Sequence, residues 1–217
     1  MPQGLPLNFT PPDVPATLTH HNITLQEWYA THPRLTNLCV GGLIFRLNTL
    51  TQRPQILLIK RAATDFFPNV WEIPGGSVEG TDSTVLDAAI REIWEETGLL
   101  IKEFKSQVWD ARVGEKVMGK DGNEVVVGEK PGAGEVEFLG GRGETWCKLH
   151  FVVDVGEVKE GQVVLDPQEH QDWGWFEKEQ IVGVEGKGLM DFISEQAVSI
   201  VERGFEDFEK QVCSTEV

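Results

Sequence analysis

Cations, thiols and long apolar runs are all scarce in this chain. Its 217 residues hold 19 Lys and Arg against 35 Asp and Glu, a formal net charge of −16. That balance argues against duplex nucleic acid or an anionic membrane as a main partner, because both need a basic face. A small phosphorylated ligand stays in play, because a bound metal ion inverts the local field. The three cysteines, Cys39, Cys147 and Cys213, are odd in number, widely spaced and without a metal-ligand pattern. They read as buried thiols in a reducing compartment. No run reaches about eighteen apolar residues, and no basic start leads into an apolar stretch, so the reading is cytoplasmic, with neither membrane span nor signal peptide. At 40% hydrophobic composition the chain can bury a core, and one α+β domain with additions is expected.

What is abundant is carboxylate, and its density peaks in one predicted helix, Ser83 to about Thr97. At about 100° per residue, Leu86, Ala89, Ile90, Ile93 and Thr97 share one face, and Glu92, Glu95 and Glu96 fall on the opposite side. Like charges at i,i+4 disfavour a helix by a few tenths of a kcal/mol, so a positive partner belongs over that strip. Arg91 on the rim satisfies one carboxylate, whereas a hard divalent cation binds several at once and bridges to phosphates. A solvated acidic face with one ion pair is the other reading of the charge pattern.

Ahead of the helix stand Trp71-Glu72-Ile73-Pro74-Gly75-Gly76 and a polar loop, Ser77 to Asp82, an order that reads as short strand, glycine turn and helix start. Here the sequence resembles the Nudix hydrolase family, whose signature is Gly-x5-Glu-x7-Arg-Glu-U-x-Glu-Glu-x-Gly-U, with U a bulky apolar residue. Arg91, Glu92, Ile93, Glu95, Glu96, Gly98 and Leu99 match its second half, and Gly76 its first glycine. The first half departs. Five residues separate Gly76 from Asp82, which stands in place of Glu, and eight residues then precede Arg91; counted backwards from Arg91, the Glu position holds Ser83. An extra residue within the helix would rotate everything before it by about 100°, so it is placed in the loop and Asp82 stands in for the Glu that braces the arginine.

The resemblance covers roughly residues 38 to 182. It implies an α/β/α sandwich around a mixed sheet and hydrolysis of a diphosphate linked to another moiety, with Mg²⁺ or Mn²⁺ as cofactor. Glu92, Glu95 and Glu96 would hold one to three ions, Arg91 would fix the glutamates, and the Gly75-Gly76 turn would admit backbone and metal closely. Lys60 and Arg61, at a strand end, either face the phosphate cleft or are an ordinary exposed terminus; Gly75 and Asp82 complete the substrate-side set. Glu169, with Asp172 behind it, is the candidate for a further metal carboxylate from a later loop, against a solvated acidic loop. Marks that subdivide the family are missing: Glu115 to Val117 contain no proline, Tyr29 is the only tyrosine, and Leu57 to Arg61 carry half of the coenzyme A pattern. Two rivals follow: a catalytically silent module that binds a phosphorylated ligand, and an isoprenyl diphosphate hydrolase or isomerase, toward which only Cys147 leans.

Elsewhere, residues 1 to 22 carry five prolines, at 2, 6, 11, 12 and 15, and read as an extended arm, with a single domain from 23 to 217. His20 and His21 read as surface residues. Thr24 and Glu27 have the spacing of a capping box for a short helix. Leu38 to Leu47 and Gln55 to Lys60 read as neighbouring strands, and Ile101 to Asp110 as another. An insertion at about 112 to 144 contains a turn at Lys120 to Asn123 and the cations Lys116, Lys120, Lys130 and Arg142. Trp146 to Val155 alternates as a central strand, with Lys148 and His150 on one face and His150 read as a core histidine. Trp173 to Phe176 is a short strand, and a closing helix runs from Leu189 to Gln211. The sequence fits a monomer and a homodimer equally, acting on a small phosphorylated substrate.

Overall fold

Thr24 and Glu27 close the first helix as their spacing requires: the Thr24 hydroxyl accepts the Glu27 N–H, and the Glu27 carboxylate accepts the Thr24 N–H, starting α1 (Leu25–Thr31). The computed structural model describes residues 4–65, 67–109, 116–118, 124–126, 136–139, 144–183 and 190–215. Part of the proline-rich segment before α1 is helical: Ala16–His21 form a 3-10 turn, and Asp13 bridges to Glu103. His21 is buried, contrary to its reading as a surface residue. Its ring nitrogen lies 2.8 Å from the Gln107 side-chain oxygen and its edge meets Phe151. His20 remains exposed.

The strands are β1 (Asn37–Leu47), β2 (Pro54–Arg61), β3 (Trp71–Glu72), β4 (Glu103–Val108), β5 (Lys116–Met118), β6 (Glu124–Val126), β7 (Val136–Leu139), β8 (Thr145–Asp154) and β9 (His170–Phe176). Among them run α2 (Val85–Thr97) and, at the end, α3 (Lys178–Val182) and α4 (Glu195–Thr215). β1 divides its pairing. Asn37 to Ile44 lie parallel to β8, and only Phe45 to Leu47 pair with β2, so the two expected neighbours meet at their ends alone. β4 and β7 share the other edge of β8. β3 and β9 flank β2 on opposite edges, with Lys60 facing Trp71 on one side and Asp172 on the other. β5 and β6 pair with each other on either side of the expected Lys120–Asn123 turn; that turn, Lys130 and Arg142 lie outside the described residues.

The mixed sheet is covered on both faces. On one, α2 packs Leu86, Ala89, Ile90 and Ile93 against Val40, Leu57, Leu149, Phe151 and Val153. On the other, Ile200, Val201 and Phe205 of α4 meet Leu43, Ile56, Leu58 and Val152. The closing helix starts later than its apolar spacing implied. Ser194 accepts the Ala197 N–H at its start, while Phe192, expected inside it, bridges to Trp71 before it begins; Leu189 lies outside the described residues. α2 begins at Val85 rather than Ser83, because Thr84 is extended and its hydroxyl accepts the Asp87 N–H. Gly98 ends it at φ 68°. Cys147 is buried, Cys39 half-buried and Cys213 exposed, so the third thiol is not a core residue. No helix among the described residues is long and apolar enough to cross a membrane.

Candidate active site

After β3 the chain returns along the free edge of β1: Val40 and Gly42 donate to the carbonyls of Gly76 and Pro74, and Val78 donates to Leu38. This places the Gly75-Gly76 turn beside the last turns of α2. Gly75 has φ 144°, and a Cβ there would lie 2.1 Å from the Val40 carbonyl oxygen, so only glycine fits. Its N–H donates to Glu96 Oε2 at 2.5 Å. At Gly76 a Cβ would stand 2.5 Å from Glu92 Oε2. The bare turn is thus what lets two carboxylates of α2 close onto backbone.

Arg91 fixes the rest of the strip. Its Nε and Nη2 grip the two Asp82 oxygens at 2.8 and 2.9 Å, Nη1 donates to Glu92 and Glu95 at 2.9 and 3.0 Å, and Nη2 also reaches the Ser77 carbonyl. Asp82, not Ser83, therefore carries the brace.

Glu96 is not on a solvent face: it is 7% exposed and points inward. There it meets two groups that the sequence reading did not single out. His170 Nε2 lies 3.1 Å from Glu72 Oε1 and 3.6 Å from Glu96 Oε1, and Arg61 Nη1 lies 2.7 Å from Glu72 Oε1. Arg61 also pairs with Asp65, and Lys60 sits over the Trp71 ring, 5.6 Å from its centre. Both strand-end cations thus face groups of the protein.

Burial pushes the Glu96 carboxyl well above the usual range, and the charges of Glu72 and Glu92 push it further against the Gly75 hydrogen bond and Lys148. Glu92 rises to about 6 by burial, with Glu95 and Asp82 adding to it and Arg91 opposing. In Glu72 burial is outweighed by the His170 hydrogen bond and by the charges of Lys148 and Arg61, so its carboxyl lies below the usual range. The Asp82 hydrogen bond holds the Arg91 guanidinium proton more tightly than usual.

One ligand atom each from Glu96, Glu169 and His170 lies within 4.8 Å of the others. A buried carboxylate crowded by like charge, with an exposed carboxylate and an imidazole nitrogen in reach, fits a divalent cation. Glu92 and Glu95 are outside that group of three, held instead by Arg91. Glu169 reaches it because its carbonyl accepts the Ala62 N–H, tying the loop to the end of β2.

A model of the NUDIX domain matches residues 39–193. The chain belongs to the NUDIX family. The m7GpppN-mRNA hydrolase NUDT17 of Danio rerio is 55% identical over 47 residues, 21% of this chain and 15% of that protein. A MutT-like protein of Streptomyces ambofaciens is 36% identical over 77 residues, 36% of this chain and 44% of that protein. The matched segments thus span less than half the length of these curated relatives. Among solved structures, the NUDIX domain of Shewanella oneidensis NrtR complexed with ADP ribose superposes with a TM-score of 0.55 at 14% identity, covering 86% of this chain and 99% of that one. A C. elegans Ap4A hydrolase in a binary complex gives 0.52 at 19% identity, covering 81% and 99%. At such identities these two show the shared fold.

On the NUDIX scaffold, the expected residues separate into two groups. Gly75, Gly76, Asp82, Arg91, Glu92, Glu95 and Glu96 converge, and Glu169 joins through Glu96. Lys60 and Arg61 turn to other partners. Glu72 and His170 went unread because each looked like ordinary strand or loop sequence. The available signal was Glu72 placed between Trp71 and Ile73 in a strand that the apolar pattern buries.

Proposed function

We propose that the chain is a divalent-metal-dependent NUDIX hydrolase that cleaves a diphosphate bond in a nucleoside diphosphate linked to another moiety, or in a related organic diphosphate. The observation that carries this reading is the intact carboxylate set gathered on a side-chain-free turn: Glu92 over Gly76, Glu96 on the Gly75 N–H, and Glu169 brought to Glu96. Glu92, Glu95, Glu96, Glu169 and the Gly76 backbone are the groups that would hold Mg²⁺ or Mn²⁺. When bound, the cation neutralises phosphate charge and lowers the pKa of a bound water.

The chain's own residues supply position. Arg91, locked by Asp82, keeps two carboxylates from swinging apart. The Gly75 N–H fixes one oxygen of Glu96 and leaves the other toward His170. Water adds to one phosphorus as the bridging P–O bond breaks, and the second phosphate group leaves. Cys39, Cys147 and Cys213 form no disulfide, which supports work in a reducing compartment such as the cytoplasm. The isomerase alternative loses its one support, because Cys147 is fully buried in the core.

The test is Mg²⁺-dependent turnover of a panel that includes ADP-ribose, Ap4A, a methylated cap dinucleotide, NADH, coenzyme A and isoprenyl diphosphates, for the natural protein and Glu96→Gln. Turnover of a panel member that collapses in the variant supports the hydrolase. No turnover, with one compound still raising the melting temperature, moves the reading to a binding module.

A further inference from the structure

A site built of carboxylates attracts metal but repels a diphosphate, and three cations around it already have protein partners. Arg91 is bound among Asp82, Glu92 and Glu95, Arg61 is bound to Glu72 and Asp65, and Lys60 lies on Trp71. Lys148 is different. It lies on β8 opposite Cys39 of β1, with His150 opposite Gly41. A Cβ on Gly41 would stand 3.1 Å from Lys148 Cε, 3.1 Å from His150 Cδ2 and 3.4 Å from the Pro74 carbonyl oxygen. The missing side chain at Gly41 is therefore what lets the lysine stem lie on the sheet next to the Pro74–Gly75 turn, whose N–H binds Glu96.

The half-buried ammonium acts electrostatically on Glu72, Glu96 and Cys39 but makes no ion pair or hydrogen bond among the described residues. Beside it on the same face, His150 is 4% exposed and its Nδ1 has no hydrogen-bond partner. A donor held in the field of several carboxylates, yet touching none, still has its hydrogen-bonding capacity to give.

We propose that Lys148 binds a non-bridging phosphate oxygen of the substrate, as the unengaged cation over Gly41 beside the carboxylate group. The inference rests on the hydrolase reading for its substrate class, a diphosphate. The metal and Lys148 divide the work: the carboxylates bind cation, and the ammonium binds anion as a point charge.

The test uses inorganic pyrophosphate with Mg²⁺ as the probe, together with Mn²⁺ alone, on the full chain and on Lys148→Met and Lys148→Arg. Loss of one charge-assisted hydrogen bond predicts pyrophosphate binding about tenfold weaker in Lys148→Met, with recovery in Lys148→Arg. Mn²⁺ binding should hold or tighten in Lys148→Met, because a positive neighbour of the carboxylates is gone. A purely structural lysine would weaken both ligands together, and that result overturns the proposal. Pyrophosphate affinity unchanged in Lys148→Met, or no pyrophosphate binding by the natural protein, overturns it equally. Lysine-dependent pyrophosphate binding without turnover of any panel compound would remove the hydrolase reading and leave Lys148 as an anion site. Turnover with unchanged KM and pyrophosphate affinity in Lys148→Met would do the reverse.

Discussion

Replacing Asp82 tests whether a loop residue one position off the family's spacing to the arginine took over the bracing role. Its side chain is 6% exposed and receives two charge-assisted hydrogen bonds from Arg91, whose side chain is 23% exposed. Removing one partner of a buried pair costs about 3–5 kcal/mol when the other charge is left alone. Arg91 keeps Glu92, Glu95 and the Ser77 carbonyl, so Asp82→Ala should cost less, about 2–3 kcal/mol. For a chain of this size that corresponds to roughly 4–12 °C in Tm. Turnover should fall as well, because an unbraced guanidinium no longer fixes Glu92 over Gly76. Ser83→Ala is the control, expected within about 0.5 kcal/mol of the natural protein. Thermal unfolding and kcat on the best panel substrate read both effects. Equal behaviour of the Asp82 and Ser83 variants would refute the assignment of the extra residue to the loop.

Gly76→Ala drives a methyl to within 2.5 Å of Glu92 Oε2, so turnover and Mn²⁺ affinity should fall while the far face of the sheet stays intact; unchanged Mn²⁺ titrations would contradict the close approach. Glu96→Gln should abolish turnover yet leave metal-free Tm equal or higher, since it removes a buried carboxylate crowded by Glu72 and Glu92; a fall of several degrees in EDTA would count against that electrostatic account. His21 is lowered from 6.5 to about 4 by burial, so the unfolded chain binds its proton first as the medium acidifies. Its contribution is fully present above pH 6.5 and is lost as pH falls toward 4, a change of about 3 kcal/mol. Denaturant midpoints across that window should slope less in His21→Asn, and parallel slopes would sink the assignment.

Local chemistry made much of this protein readable from its residues. The apolar period of α2 and the Thr24–Glu27 capping box each depend on neighbours a few positions apart, and both are present; along β8 the expected alternation gives way to burial on both faces from Leu149 to Val153. The NUDIX signature is local too, so the carboxylate helix and the glycine turn were legible together. Contacts between distant elements were not. Strand spacing alone paired β1 with β2, whereas the glycine turn occupies much of the free edge of β1 and leaves three residues for β2. That Glu72 and Asp65 both close on Arg61 could not be read from its place at a strand end. Glu96 belonged to the solvent strip by helical angle, but the turn and β9 cover the end of α2 and bury it. His170, 74 residues beyond Glu96, became its neighbour because β9 returns antiparallel along β2. Periodicity determines which face of an element is apolar. Only the tertiary structure decides which charges share a low-dielectric space, because that depends on strand order and on which loops cross the edge of the sheet.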